Sequence, residues 1–254
     1  MSSAHPPARI AALVLIVSGP LLWLLFGHGR PIPQDPAYHL FADGRSCLGV
    51  TNFGNVASNL VFLVVGIAGL LATRNAGGAR LSWQAFFIGV ALVSAGSAWY
   101  HLAPSDTTLF WDRLPMTLAF MALFSALLTE HLGPALERRL LPAAVAIGGA
   151  SLAWWMVSGD LRLYIWVQAA PLLAIPWLLA AFPPRHTQRQ WLLWGVSLYA
   201  LAKIAEFRDY EIYAWSGMSI SGHTLKHLLA AAAVYCVVVM LNQRQSLTPV
   251  ASSQ

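Results

Sequence analysis

Two histidines near the C-terminus, His223 and His227, are four residues apart in an apolar segment. In an α-helix this spacing places both imidazoles on one face, about one turn apart, where they can share a metal ion. His101 follows Ser97 by four residues in an earlier apolar segment and offers a third imidazole. Three histidines with an open fourth position are typical of catalytic zinc sites, although imidazole also suits copper, iron and nickel. The spacing alone leaves a structural role for each histidine open.

The composition indicates the medium in which these side chains work. Of the 254 residues, 57% are hydrophobic and 10% are charged, whereas soluble domains carry about 25% charged residues. We therefore expect an integral membrane protein. The basic residues behind the net charge of +5 are scattered singly among apolar runs, which does not favour nucleic-acid binding. Cys47 and Cys236 are too few and too widely separated for a disulfide framework, and no role is assigned to them.

Eight apolar runs are long enough to cross a bilayer, whose hydrocarbon core needs about 20 helical residues. The first, over residues 10–26, is predicted to be an additional, uncleaved transmembrane helix, because no small-residue cleavage site of a signal peptide follows it. The fold class is thus an all-α integral membrane bundle with a seven-helix core. The core spans are predicted over residues 53–72, 81–101, 113–130, 140–158, 162–181, 190–206 and 220–241.

Short connections leave no room for a soluble domain between the core helices. The predicted organisation is a cytoplasmic N-terminus with the extra helix over 1–27, an extracytoplasmic loop over 28–52, the core over 53–241 and a cytoplasmic tail over 242–254. The loop over 28–52 is rich in proline and glycine and is expected to fold over one mouth of the bundle.

The basic residues also indicate the orientation in the membrane. Eight spans place both termini on one side, and of the 12 Lys and Arg residues outside the helices eight fall on that side. By the positive-inside rule both termini are expected to be cytoplasmic. The composition, rich in Ala, Leu and Arg, is typical of a bacterial protein, so a bacterial inner membrane is expected.

This topology brings polar residues from five helices to one level near the extracytoplasmic face. Ionisable groups in membrane helices are costly and usually face an interior cavity, so we expect a single polar chamber at that level. Besides the three histidines, the chamber would contain Ser97, Asp112, Asn55, Ser58, Asn59, Arg113, Lys203, Glu206 and Lys226. Simpler roles stay open for Asp112 as a helix cap and for Lys203 with Glu206 as an ion pair. The other histidines are expected to be incidental, namely His5, His28, His39, His131 and His186.

The ordered motifs resemble those of the alkaline ceramidases, which belong to the CREST superfamily of seven-helix membrane hydrolases. The matching motifs are Asn55-x-x-Ser58-Asn59, Ser97-x-x-x-His101, Asp112-x-x-Pro115-Met116 and His223-x-x-x-His227. The resemblance implies zinc ligands at His101, His223 and His227, with Ser97 and Asp112 contacting the metal-bound water or the substrate carbonyl. It also implies a ceramide-like membrane lipid as substrate, hydrolysed to a sphingoid base and a fatty acid by a bacterial-type member.

Two features depart from the family pattern. Eukaryotic members carry an acidic calcium-binding segment before the first core helix, whereas Asp43 is the only acid here between residues 36 and 105, and Asn52 stands near the place of an expected acid. A calcium site is therefore doubtful. The helix over 10–26 is additional to the family's seven.

The chemistry of these groups agrees with amide hydrolysis. A metal ion lowers the pKa of its water from 15.7 to about 7 and polarises a carbonyl. The chain lacks the GxSxG elbow of serine hydrolases. Under this hypothesis Asp112 accepts the proton of the attacking water and returns it to the leaving amine, while Ser97 donates a hydrogen bond to the oxyanion.

Two other functions remain open from the sequence. The same three histidines could clamp a structural metal in a lipid-binding receptor or scaffold of the CREST type, without hydrolysis. A small transporter could use Lys203, Glu206 and Asp112 as a proton relay, but the paired broken helices typical of transporters are missing.

Overall fold

The computed structural model describes residues 6–247, and within that range the chain is helical with short loops and forms no named β-strand. The predicted cytoplasmic tail over 242–254 is described only as far as residue 247. His5 and the first residues of the predicted N-terminal segment lie outside the described range.

The described residues form ten α-helices, several of which continue into short 3-10 or π turns. The helices are α1 Pro7–Leu22, α2 Phe53–Ser58, α3 Leu60–Ala72, α4 Arg80–Leu102, α5 Asp106–Leu132, α6 Glu137–Ser158, α7 Arg162–Ala181, α8 Gln190–Phe207, α9 Asp209–Trp215 and α10 Gly222–Gln243.

Seven helical segments of the described chain are long and apolar enough to cross a membrane, which confirms the predicted all-α, multi-pass membrane bundle. They are Pro7–Gly27, Phe53–Asn75, Gly77–Leu102, Asp106–Leu132, Pro134–Ser158, Arg162–Ala181 and Gly222–Gln243. The eighth predicted span, over 190–206, forms helix α8 of 18 residues. It is less apolar than the other seven because it includes Gln190, Lys203 and Glu206.

Helix α1 lies at the periphery of the bundle, as expected of a helix additional to the core. It packs along α7, where the Trp166 indole donates a hydrogen bond to the Val17 carbonyl over 2.8 Å. Leu13 is its only buried residue among those described. Most of its apolar surface therefore faces outward, toward the hydrocarbon of the membrane.

Helices α4 and α5 approach each other most closely at Gly96. A Cβ atom built on Gly96 would lie 2.2 Å from the carbonyl oxygen of Trp111, and one on Gly89 would lie 2.8 Å from the Ala119 nitrogen. Small residues allow such close backbone contact between membrane helices. Because Ser97 and Asp112 directly follow Gly96 and Trp111 in the sequence, this contact also sets the distance between their side chains.

We expect Gly96→Ala to lower the free energy of unfolding by about 1–3 kcal/mol, because the added methyl group overlaps the Trp111 carbonyl and forces the helices apart. The thermal unfolding midpoint in detergent measures the effect. Gly149→Ala in α6 is the matched control, since no atom lies within 4 Å of its added Cβ. Equal unfolding midpoints for the parent and both variants would contradict the close contact between Gly96 and the Trp111 carbonyl.

Candidate metal centre

Three buried histidines from two helices meet at one end of the bundle. His101 is next to the last residue of α4, while His223 and His227 occupy the first two turns of α10. One ligand nitrogen from each ring lies within 4.8 Å of the other two. The ring centroids are 4.8 to 5.1 Å apart. A single ion can therefore reach all three imidazoles, as the sequence predicted.

The residues fit a metal ion by their hydrogen bonding as well as by their position. The Nδ1 atom of His101 is buried and has no hydrogen-bond partner within the described structure. An unsatisfied buried polar atom costs free energy, and coordination of a cation would remove that cost. His101, His223 and His227 are at most 5% exposed, and three imidazole nitrogens form a donor set suited to zinc.

Ser58 fixes the ring of His227. Its hydroxyl donates to the Asn55 carbonyl over 3.0 Å and lies 2.7 Å from His227 Nδ1. Because the hydroxyl hydrogen is already used, Nδ1 must donate to Ser58 Oγ, which leaves the Nε2 lone pair of His227 for a metal. Asn59 also donates to the Asn55 carbonyl, and the Asn55 side-chain oxygen accepts from Thr224. Of the predicted residues, Asn55 and Ser58 thus tie α2 to α10 behind the ligands, and Asn59 supports Asn55.

Asp209, at the start of α9, holds His223 in place. One of its carboxylate oxygens accepts from the backbone nitrogen of His223 over 2.7 Å, and the other accepts from that of Ala42 over 2.9 Å. The carboxylate therefore caps the N-terminus of α10 and joins it to the loop over 28–52. Asp209 is not predicted from the sequence, because a single acid 14 residues before its partner carries no local signal.

Lys226 and Glu206 form a charged network beside the histidines. The Lys226 ammonium lies 2.8 Å from Glu206 Oε1 and 3.2 Å from His223 Nε2. Glu206 also accepts from Lys203, three residues earlier, and from the Tyr38 hydroxyl. The suggested pair of Lys203 with Glu206 is confirmed, but it belongs to a larger network. That network holds the Lys226 ammonium within reach of a nitrogen that could also bind a metal.

Ser97 and Asp112 lie together on the wall next to the histidines. The Ser97 hydroxyl is close to the Asp112 carboxyl, and both residues are buried. Arg113, the next residue in α5, points elsewhere. Its guanidinium lies over the ring of Trp155 at 4.4 Å and donates to the Gln34 side chain over 2.6 Å. Arg113 therefore anchors the loop over 28–52 rather than the metal centre.

The loop over 28–52 covers the centre, as predicted. The ring of Phe41 meets His101 and His223 edge-on, with centroid distances of 4.7 and 4.8 Å. Asn52 donates to the backbone carbonyl of His101 over 2.8 Å. The expectation that His39 is incidental is wrong, because its ring bonds to the Tyr100 hydroxyl and so anchors the loop. Nothing in the local sequence distinguishes Phe41 from other loop aromatics, so only the structure identifies it.

The segment over 36–52, directly before α2, does not fit a calcium ion. Its single acid, Asp43, is buried, and both carboxylate oxygens accept hydrogen bonds from the Arg45 guanidinium over 2.8 Å. These hydrogen bonds lower the pKa of Asp43 below its ordinary value. A protein cation thus already neutralises the one carboxylate that the segment offers.

A cavity of about 1200 Å³, its mouth included, extends from the histidine centre into the bundle. Its polar end includes His227 and Asp112, and its apolar wall continues to Val237 in α10 and Leu123 in α5. Ten or eleven helical residues correspond to about 15 Å, which is half of the roughly 30 Å hydrocarbon core of a bilayer. Helices α7 and α8 both line the cavity but make few contacts with each other.

A family model described as Ceramidase matches residues 48–180, which is more than half of the chain. The matched region contains Ser97, His101 and Asp112 but ends before His223 and His227. No curated protein matches the chain.

We expect Ser58→Ala to weaken zinc binding about 10- to 100-fold, because His227 loses the acceptor that orients its ring. Competition with a chromogenic zinc chelator measures the affinity. Ser94→Ala is the matched control, since the Ser94 hydroxyl donates only within α4, to the Ala91 carbonyl. Equal zinc affinity in the parent and both folded variants would exclude this role for Ser58.

Proposed function

The chain belongs to the ceramidase family, and from this premise we propose that it is a zinc-dependent amide hydrolase that cleaves ceramide-like lipids within the membrane. The products would be a sphingoid base and a fatty acid. The observation that carries the proposal is the position of the histidine centre. It lies at the polar end of a cavity as deep as one leaflet, beside a buried serine and a buried carboxylate.

His101, His223 and His227 would hold the zinc ion. When bound, zinc would supply Lewis acidity toward a carbonyl oxygen and a water that loses its proton near neutral pH. The protein contributes the rigid placement of the ligands, through Ser58 behind His227 and Asp209 at the backbone of His223. Phe41 covers two of the rings and limits the access of bulk water to them.

Asp112 is the proposed general base and acid. Its carboxylate takes a proton from the attacking water as the new carbon–oxygen bond forms. It then gives this proton to the amide nitrogen as the carbon–nitrogen bond breaks. The side chain is buried and lines the cavity. The close packing at Gly96 keeps it next to Ser97.

Ser97 is proposed to donate its hydroxyl hydrogen to the carbonyl oxygen as negative charge develops there. Lys226 and Lys203 both pair with Glu206 and line the same cavity as Ser97. We assign Lys226 to the polar headgroup of the substrate and to the fatty-acid carboxylate that forms on cleavage. The pair of Glu206 with Lys226 orients this ammonium.

The polar end and the apolar wall of the cavity suit a lipid substrate. Its apolar wall would hold one hydrocarbon chain over the depth of one leaflet, while the amide lies at the histidine centre. The weak contact between α7 and α8 would let a chain pass sideways from the bilayer. With both termini cytoplasmic by the positive-inside rule, the centre would face the extracytoplasmic side of a bacterial inner membrane.

Asp112→Asn should lower kcat for ceramide by about 10²- to 10⁴-fold while zinc stays bound, because the amide side chain cannot accept the proton. His223→Ala should lose both zinc and turnover. Fatty-acid release from ceramide and phytoceramide, together with zinc per chain by plasma mass spectrometry, measures both effects. Asp35→Asn, on the exposed loop, is the matched control, because an asparagine can also accept the hydrogen bond from Ala37.

The results of this experiment separate the possible functions. Zinc in the parent without turnover of either lipid would favour the lipid-binding receptor or scaffold with a structural metal. A parent protein that binds no transition metal would contradict the histidine centre itself. Full activity in His223→Ala would defeat its assignment as a ligand.

Ser97→Ala should lower kcat by about 10²- to 10³-fold with little change in zinc content, because one donor to the developing oxyanion is lost. The same assays apply, with Ser94→Ala as the control on the same helix. A rise in KM at unchanged kcat would instead indicate that Ser97 only binds the ground-state substrate.

A further inference from the structure

A second polar site lies at the opposite end of the bundle from the histidines. A cleft there is bordered by the ends of α5 and α10, the start of α8 and the connection over 183–189. Its charged and titratable residues are Glu130, His131, Arg185, His186, Arg189 and Arg244. None of them belongs to the metal centre or to the cavity described above.

The distance between the two sites places the cleft at the other membrane interface. Asp112 and His131 are 19 residues apart in α5, which corresponds to about 28 Å along the helix. His223 and Arg244 are separated by about 31 Å along α10 by the same rise per residue. These lengths match the roughly 30 Å hydrocarbon core. A cleft at this level lies among the phosphate groups of the opposite leaflet.

Arg244 lines this cleft, and one nitrogen of its guanidinium group has no hydrogen-bond partner in the described structure. Its Nη1 atom donates to Glu130 over 2.6 Å, and its Nε atom donates to the Asn75 carbonyl over 3.2 Å. The Arg244 side chain is 2% exposed, and its Nη2 atom is buried with no partner within the described residues. A buried guanidinium nitrogen without an acceptor is costly. An anion in the cleft would provide that acceptor.

The surroundings of the cleft favour an anion. Among the described residues that line it, the one carboxylate, Glu130, is already paired with Arg244 and also accepts from the Trp83 indole. Arg185 and Arg189 add two further positive charges, and the N-terminus of α8 begins directly after Arg189. Burial, and then the charge of Arg244, lower the pKa of His186 below its ordinary value. The guanidinium groups suit the paired oxygens of a phosphate.

The tail and the connection hold these side chains together. The backbone of Thr187 donates to the Gln245 carbonyl over 3.0 Å, and that of Leu247 donates to the Arg185 carbonyl over 2.9 Å. Residues that follow α10 are thereby fixed against residues that precede α8. The arginines from the two segments therefore face one cleft as a built site and not as separate surface charges.

We propose that this cleft binds a phosphate group, supplied by the headgroup of an anionic phospholipid in the leaflet opposite the histidine centre. The site is independent of hydrolysis at the metal centre, and its occupancy is expected whether or not the chain cleaves ceramide. The expected cytoplasmic orientation of this end agrees with it, because anionic lipids attract basic groups at that surface.

The test uses the full chain in nanodiscs of phosphatidylcholine with or without phosphatidic acid, with retained lipid counted by native mass spectrometry. The parent should retain phosphatidic acid in preference to phosphatidylcholine. Arg185→Gln/Arg189→Gln should bind it roughly 25-fold more weakly, because each lost charge weakens binding about fivefold. Arg138→Gln/Arg139→Gln is the matched control, because these two exposed arginines open α6 near the same end but do not line the cleft.

A second arm measures binding of inorganic phosphate to the parent in detergent. Binding of phosphatidic acid alone identifies a lipid headgroup site, whereas binding of both probes identifies a phosphate site open to either source. Equal loss in the control double variant, or no binding of either probe by the parent, would overturn the proposal.

Arg189 donates to the Leu179 carbonyl over 2.8 Å, so the double variant can fail to fold. Arg185→Gln alone keeps this bond and should weaken phosphatidic acid binding about fivefold. Unchanged binding in this folded single variant would also overturn the proposal.

Discussion

Polar side chains buried among membrane helices must find partners, and this requirement governs how the helices of this protein pack. A polar group inside the hydrocarbon region is costly unless it has a partner. Asn55, Ser58 and Asp209 therefore each satisfy a neighbour, and together they fix two histidines of the centre. His101 Nδ1 is left without a partner. This unpartnered nitrogen belongs to the histidine cluster that could hold a metal ion.

The position of the centre follows from close backbone contact and from a covering loop. The packing at Gly96 brings Ser97 to Asp112, while the short break between α2 and α3 brings Asn55 and Ser58 against α10. Phe41 then closes the polar end with an aromatic ring. The result is a cavity with its reactive groups at one end and an apolar wall along its length, the arrangement that an amphiphilic substrate requires.

The two ends of the bundle differ in charge and in chemistry. One end collects imidazoles, carboxylates and two lysines around a cavity, and the other collects three arginines around a small cleft. Helices α5, α8 and α10 contribute to both ends. The length of these helices keeps the two sites about one hydrocarbon thickness apart. Binding at one end can therefore be tested without changing the residues of the other.

The membrane helices and the histidine cluster could be predicted from the amino-acid sequence. These features are encoded locally, in apolar runs long enough for a bilayer and in the four-residue spacing of His223 and His227. The fold alone reveals that Phe41 covers the centre, that Asp209 caps α10 and that Arg244 meets the residues before α8. These contacts join segments far apart in the chain, and no periodic pattern in one sequence records which distant side chain will satisfy a buried polar group.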